Sequence, residues 1–238
     1  MSTFHSSQKI GEIVTKFPKS ADILKEYRID FCCGGDRTLI TAIREQNLSE
    51  PEVLDRINKL YEELKNVKTE DRNWVEAPFG ELIDHIVNTH HAYLNVELPR
   101  ISELTTKILR VHGEHHPELS MVHKLFHTLK MELEAHLIKE ETIQYPAIKE
   151  YEKNKAKESL DKAVSVNKEL ESEHTGAGDI LKELRKVTND FTAPEDGCNT
   201  YKLTYSKLEE LEADTFQHIH LENNILFPRL MDLAKNEK

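Results

Sequence analysis

Glycine and proline are scarce in this chain of 238 residues, with eight of each. Scarcity of the two residues that interrupt helices excludes a loop-rich or turn-rich β design and leaves a mostly helical one. Three cysteines, two of them adjacent, exclude a secreted disulfide framework. No apolar run approaches the roughly 20 residues that span a bilayer, and the first residues have no basic segment leading into an apolar one. The expected compartment is the cytoplasm. Positive charge is short as well: 32 Lys and Arg against 43 Asp and Glu give a net charge of −11, which argues against nucleic acid and anionic membranes as partners. What remains, 38% hydrophobic and 32% charged, suffices for one sizeable core or a core plus a small second domain.

Against that background one stretch occurs twice. His136-Leu137-Ile138-Lys139-Glu140 runs into Glu141-Thr142-Ile143-Gln144-Tyr145-Pro146, and His218-Ile219-His220-Leu221-Glu222 into Asn223-Asn224-Ile225-Leu226-Phe227-Pro228. The shared pattern is H-x-x-x-E-x-x-I-x-[YF]-P. Residues four apart on an α-helix lie on one face, so each copy aims an imidazole and a carboxylate at the same point. Upstream, 45 and 44 residues before the paired histidines, stand His91 and His174 in apolar helical patterns. The chain reads as a duplicated helix pair, each pair offering His, then His and Glu.

The chain divides by pattern into a small N-terminal domain (1–66), a charge-rich linker (67–78) and a bundle (79–238). In the first, short amphipathic segments with Ser20 as a cap precede Asp30-Phe31-Cys32-Cys33-Gly34-Gly35-Asp36, and a helix follows from Leu39 to Gln46. This order predicts thiols near a helix N-terminus, where pKa values fall. Ser49-Glu50-Pro51 opens a further helix. Beyond the linker, four long segments are expected at about 79–110, 118–150, 158–188 and 200–234, with a kink at Pro99 and a loop around Pro194, Gly197 and Cys198. Short connections make an up-down four-helix bundle the economical all-α architecture.

Helical spacing turns His91, His136, Glu140, His174, His218 and Glu222 inward, with His90 an alternative to His91 and His220 on the outer flank. Two buried carboxylates need compensating charge. Four imidazoles and two carboxylates suit a pair of iron or manganese ions, with the glutamates able to bridge; the set is too large for structural zinc and has no sulfur. Cys32 and Cys33 are candidate iron-transfer or redox thiols, and a disulfide between such neighbours would be strained and easily reduced.

These residues, with Thr89-His90-His91-Ala92-Tyr93, the Val111-His112-Gly113 turn, Glu173-His174 and the Cys-Cys-Gly-Gly segment, resemble the RIC (repair of iron centres) family, also called ScdA/YtfE, over nearly the whole chain. The resemblance implies an ScdA-type N-terminal domain joined to a hemerythrin-like bundle. It implies a di-iron centre held by His91, His136, Glu140, His174, His218 and Glu222, with Glu140 and Glu222 bridging. It also implies a cytoplasmic, often dimeric protein that helps restore damaged iron–sulfur proteins, by donating iron or by reducing nitric oxide. The alternative expectation is a hemerythrin-like module that binds oxygen or nitric oxide without turnover.

Overall fold

The computed structural model describes residues 3–65 and 72–236. Among them no strand forms beyond an isolated bridge between Lys9 and Thr38, and the fold is all-α. Two compact units are distinguished: Met1–Pro78 with Ile219–Asn236, and Phe79–His218. Where the sequence pattern has one boundary at the end of the linker, compactness therefore groups the chain's last helical stretch with its N-terminal residues. The first part of the expected linker, up to residue 71, lies outside the described residues.

In the first unit, helices α1 (Ile10–Lys16), α2 (Ser20–Glu26), α3 (Leu39–Glu45) and α4 (Glu50–Leu64) bury Ile10, Ile13, Val14, Leu24, Leu39, Val53 and Ile57. The rings of Phe4, Phe17 and Tyr61 close one side of this core, with centroids 5.2–6.1 Å apart. Ser20, expected as a cap, is instead the first residue of α2, and its hydroxyl donates back to the Phe17 carbonyl at 2.6 Å. Ser49 does stand at the cap position of α4, in extended backbone and without a side-chain cap bond, and Pro51 occupies the first turn. A proline is harmless there because that N–H has no helical partner.

In the second unit, four rods arise from the apolar stripes. They comprise α5 (Phe79–Ile86) continuing into α6 (Ala92–His112); α7 (Glu118–Lys139) continuing into α8 (Tyr145–Asn154); α9 (Lys157–Ser165) followed by α10 (Asn167–Val187); and α11 (Asn199–Leu221). Leu94, Leu98 and Ile101 from α6, Phe126 and Leu129 from α7, Leu181 from α10, and Tyr201, Leu208 and Leu211 from α11 meet in one core. Pro99 sits inside α6 without ending it. The expected single third helix is divided at Val166, where Ser165, Val166 and Asn167 are all modest helix formers. Asn189, Asp190 and Phe191 take left-handed backbone in the loop before α11, which turns Phe191 back into the core.

The feature that positions the site is a set of π turns. Val87–His91 joins α5 to α6, Glu140–Gln144 joins α7 to α8, and Glu222–Leu226 joins α11 to α12 (Phe227–Asn236). In the second and third, the proline of the repeated pattern, Pro146 or Pro228, stands two residues past the turn, after Tyr145 or Phe227. A proline lacks an N–H and its ring collides with the carbonyl four residues earlier, so the α ladder cannot pass unchanged. Widening by one residue relieves that conflict. No such proline follows the first π turn, where Ala92 and Tyr93 come next.

Candidate metal centre

Each π turn carries a predicted ligand at its edge: His91 ends the first, Glu140 opens the second and Glu222 opens the third. π turns are rare and concentrate at functional sites because they re-aim side chains that a regular helix would present elsewhere. His136 lies one turn before Glu140 on α7, His174 in the middle of α10, and His218 near the end of α11.

Within the second unit these side chains converge on Glu140, which is fully buried. His136 Nε2 lies 3.0 Å from Glu140 Oε1, His91 Nε2 3.3 Å from Oε2, and His218 Nε2 3.8 Å from Oε2. The imidazoles also face one another in pairs, His91 Nε2 to His218 Nε2 at 3.3 Å and His136 Nε2 to His174 Nε2 at 3.0 Å. The result is two overlapping triads, His91–Glu140–His218 and His136–Glu140–His174, each with donor atoms within 4.8 Å of one another. Glu140 is common to both.

The outer ring nitrogens are held by carboxylates. His91 Nδ1 lies 2.7 Å from Glu141 Oε1, and His136 Nδ1 2.9 Å from Glu173 Oε2. An ionised carboxylate can only accept, so it fixes the proton on Nδ1 and leaves the Nε2 lone pair pointing inward. Lys139 pairs with both Glu173 and Glu169 and offsets part of their charge. Tyr145 stacks on His91 with centroids 5.7 Å apart. His90, the alternative to His91, presents no nitrogen to the cluster: it stacks on the His218 ring at 5.6 Å and 2°, and its Nδ1 lies 2.9 Å from Asp214.

Electrostatics follow from this packing. Burial pushes the Glu140 carboxyl up, but the charge and hydrogen bond of His136, then the hydrogen bond of His91 and the charge of His218, outweigh it and hold the carboxyl well below its usual range. Burial pushes His218 well below the usual histidine value, with Glu140 opposing. A cation entering the cluster would take the place of any proton the rings carry, beside an ionised Glu140 and a neutral His218. Facing ring nitrogens at 3.0–3.3 Å can share a cation in place of a proton, so the residues fit a metal. Nitrogen and oxygen donors without sulfur suit iron or manganese.

Glu222, the sixth predicted ligand, stands four residues after His218 and is fully buried. His220 corrects its sequence assignment. Rather than lying on an outer flank, it is buried within the first unit, its ring edge-on to Phe31 at 6.0 Å and its Nε2 3.5 Å from Thr15 Oγ1. Burial pulls its pKa down to about 4, against a raising contribution from the Phe31 backbone.

The thiol segment also departs from expectation. Cys32 and Cys33 form no disulfide and have sulfurs 3.8 Å apart, in a turn that ends before α3 begins at Leu39. α3 therefore opens six residues after Cys33 rather than at the thiols. Instead Asp30 Oδ1 accepts from the Cys32 and Gly34 N–H groups at 3.2 and 3.0 Å, with Cys32 Sγ 3.3 Å away. Burial, then the hydrogen bond to Cys33 and the charge of Asp30, push the Cys32 thiol well above its usual value, the reverse of the predicted lowering. The turn is clamped by Asn224, whose Nδ2 donates to the carbonyls of Phe31 and Cys32 at 3.3 and 3.0 Å. A Cβ on Gly35 would come within 2.2 Å of Asn224 Oδ1, which explains the second glycine of the motif as a close approach.

The thiol at the lowered end of the scale is Cys198, to which sequence reading gave no role. It is exposed just before α11; the Tyr201 N–H, then His112 Nε2 at 3.2 Å and the Thr200 N–H, bring its pKa down to about 7. Because thiolate is the nucleophile, iodoacetamide is expected to label Cys198 with a rate that rises through pH 7, while Cys32 stays unlabelled in the folded chain. Peptide mapping after timed alkylation checks the order; faster labelling of Cys32 would contradict it.

Comparison with known proteins gives two family matches along the chain. Residues 6–61 match the ScdA N-terminal family model, described as "Domain of Unknown function (DUF542)", and residues 82–230 match the "Hemerythrin HHE cation binding domain". A "Probable iron-sulfur cluster repair protein" of Haemophilus influenzae is 35% identical over 227 residues, 95% of this chain and 98% of that one. The "Iron-sulfur cluster repair protein ScdA" of Staphylococcus haemolyticus is 32% identical over 219 residues, 92% and 95% of the two chains. The "Iron-sulfur cluster repair protein YtfE" of Escherichia coli O157:H7 is 34% identical over 227 residues, 95% and 98% of the two chains. With a domain of each kind, and relatives at these identities over nearly its full length, the chain belongs to the RIC family of ScdA/YtfE proteins, an ScdA N-terminal domain followed by a hemerythrin HHE cation-binding domain.

Proposed function

We propose that this chain is a di-iron protein that restores damaged iron–sulfur clusters. The observation that carries the reading is Glu140, a single carboxylate shared by two histidine pairs. That is the arrangement two adjacent cations need from a bridging ligand. His91 and His218 would serve one iron, and His136 and His174 the other. Glu222 is assigned as the second bridging carboxylate: it has the same offset from His218 that Glu140 has from His136, it opens a π turn as Glu140 does, and it is fully buried. Cluster repair is what the names of relatives covering nearly all of this chain state for those proteins.

When bound, ferrous iron would supply both a store of exchangeable metal and electrons for small oxidants such as nitric oxide. The protein's share of the chemistry is to hold the ring nitrogens in their metal-binding tautomer through Glu141 and Glu173, and to keep bulk water from a site whose ligands are all buried. Cys32 and Cys33 are assigned to iron transfer, with iron as cargo. The protonated resting state of Cys32 is compatible with that role, since metal capture by a thiol releases its proton. Damaged iron–sulfur proteins are the proposed partners, the compartment is cytoplasmic, and the assembly is a homodimer.

Two mechanisms fit, iron donation and nitric oxide reduction. The test supplies the iron-loaded chain to a cluster enzyme inactivated by nitric oxide and follows recovery with and without a strong external chelator. Recovery that survives the chelator supports direct donation. Nitrous oxide from the reduced protein under anaerobic nitric oxide supports reduction, and failure of both assays with a loaded protein would set the repair reading aside.

A further inference from the structure

Away from the central cluster, two histidines on α7 meet in a geometry that the proposed repair chemistry does not use. His123 and His127 are four residues apart on one helix face, both half-buried, with ring centroids 4.0 Å apart at 86°. Their Nε2 atoms are 3.1 Å apart, and Thr106 Oγ1 lies 3.1 Å from the same nitrogen of His123. No carboxylate is paired with either ring among the described residues. His127 is nine residues from His136, about 13 Å along the helix at ~1.5 Å per residue.

We propose that His123 and His127 form a second, peripheral cation site that binds a borderline divalent ion of the zinc or copper class through their two Nε2 atoms. An ion about 2.0–2.1 Å from each nitrogen, with the nitrogens 3.1 Å apart, would be held at an N–metal–N angle of about 98°. That angle suits tetrahedral or square coordination, and the half-exposed edge of the pair leaves the other positions to solvent. The donors are imidazoles with no paired carboxylate to satisfy iron, so this site favours metals that prefer nitrogen, in contrast to the carboxylate-centred cluster. Burial first, then His123 and Lys130, also lower the basicity of His127. The contact permits a proton on one facing nitrogen at most, and a metal replaces that proton.

The site is independent of the repair reading, and its test is designed so that the two fail separately. Full-length protein and the His123→Ala/His127→Ala variant are titrated with zinc(II) by calorimetry, each with its central iron content measured beforehand. The parent is expected to take up one zinc equivalent more than the variant, whatever the central cluster holds. Each single variant should bind that equivalent at least tenfold more weakly, because the chelate is broken. Both rings are half-exposed, so the variants should keep their helical circular dichroism. Zinc should raise the melting temperature of the parent above that of the double variant, since binding to the folded state alone is stabilising. Equal zinc stoichiometry and affinity in parent and double variant, both folded, would overturn the proposal.

Discussion

Glu140→Gln is expected to reduce iron affinity by at least about 100-fold while leaving the helical fold in place. Glutamine keeps the shape of the side chain but removes the one charge on which four imidazoles converge, and its amide N–H₂ presents donors to positions where a cation needs electron pairs. Both triads lose their common member at once, so the two irons should be lost together rather than singly. Removing an outer partner instead, by Glu173→Gln, leaves all inward donors present and releases only the tautomer of His136. A loss of about 10–100-fold is expected there. Anaerobic equilibrium dialysis of the two variants against ferrous iron checks the order. Retention of both irons in Glu140→Gln would show that the shared carboxylate is not a ligand.

Cys32→Ser with Cys33→Ser is expected to separate storage from repair. The sulfurs lie in a turn held by Asp30 and Asn224, and neither belongs to the histidine triads. Iron content should therefore match the parent. Reactivation of a nitrosylated cluster enzyme should fall by about tenfold or more when a chelator intercepts free iron, because the thiols then have no alternative route. Nitrous oxide production, if the reduced protein makes it, should be unchanged. Equal reactivation by parent and variant under the chelator would remove the thiols from the mechanism.

How far the sequence speaks for this structure differs by region. The inward turn of His91, His136, Glu140, His174 and His218 was legible because helical spacing and an internal repeat each select the same face, and burial of all five agrees. The carboxylates behind them, Glu141 and Glu173, were not: each merely adjoins a ligand in sequence, and adjacency on a helix puts residues on different faces. The π turns had a readable sign in the aromatic-proline pair of each repeat, since proline cannot continue the ladder. Spacing arguments that assume 3.6 residues per turn do not register the extra residue.

Two misreadings share a cause. His220 was assigned to an outer flank and Cys32 to a helix N-terminus by considering one helix at a time. His220 is covered by Phe31 and Thr15, and the Cys32 N–H bonds to Asp30 rather than opening a helix. Burial decided both side chains, in the direction local pattern could not supply: the His220 pKa falls to about 4 and that of Cys32 rises. Ser20 is a milder case, in which a residue suited to capping found a nearer acceptor in the Phe17 carbonyl.

The central claim is that the bundle holds a pair of irons through the duplicated His-x-x-x-Glu pattern. It is tested most directly by elemental analysis of protein purified without oxygen and loaded with ferrous iron, beside a His218→Ala/Glu222→Ala variant of unchanged helical content. The account predicts two irons per chain in the parent and clear loss in the variant. A folded parent that holds no iron after loading, or a variant that holds as much as the parent, would contradict it.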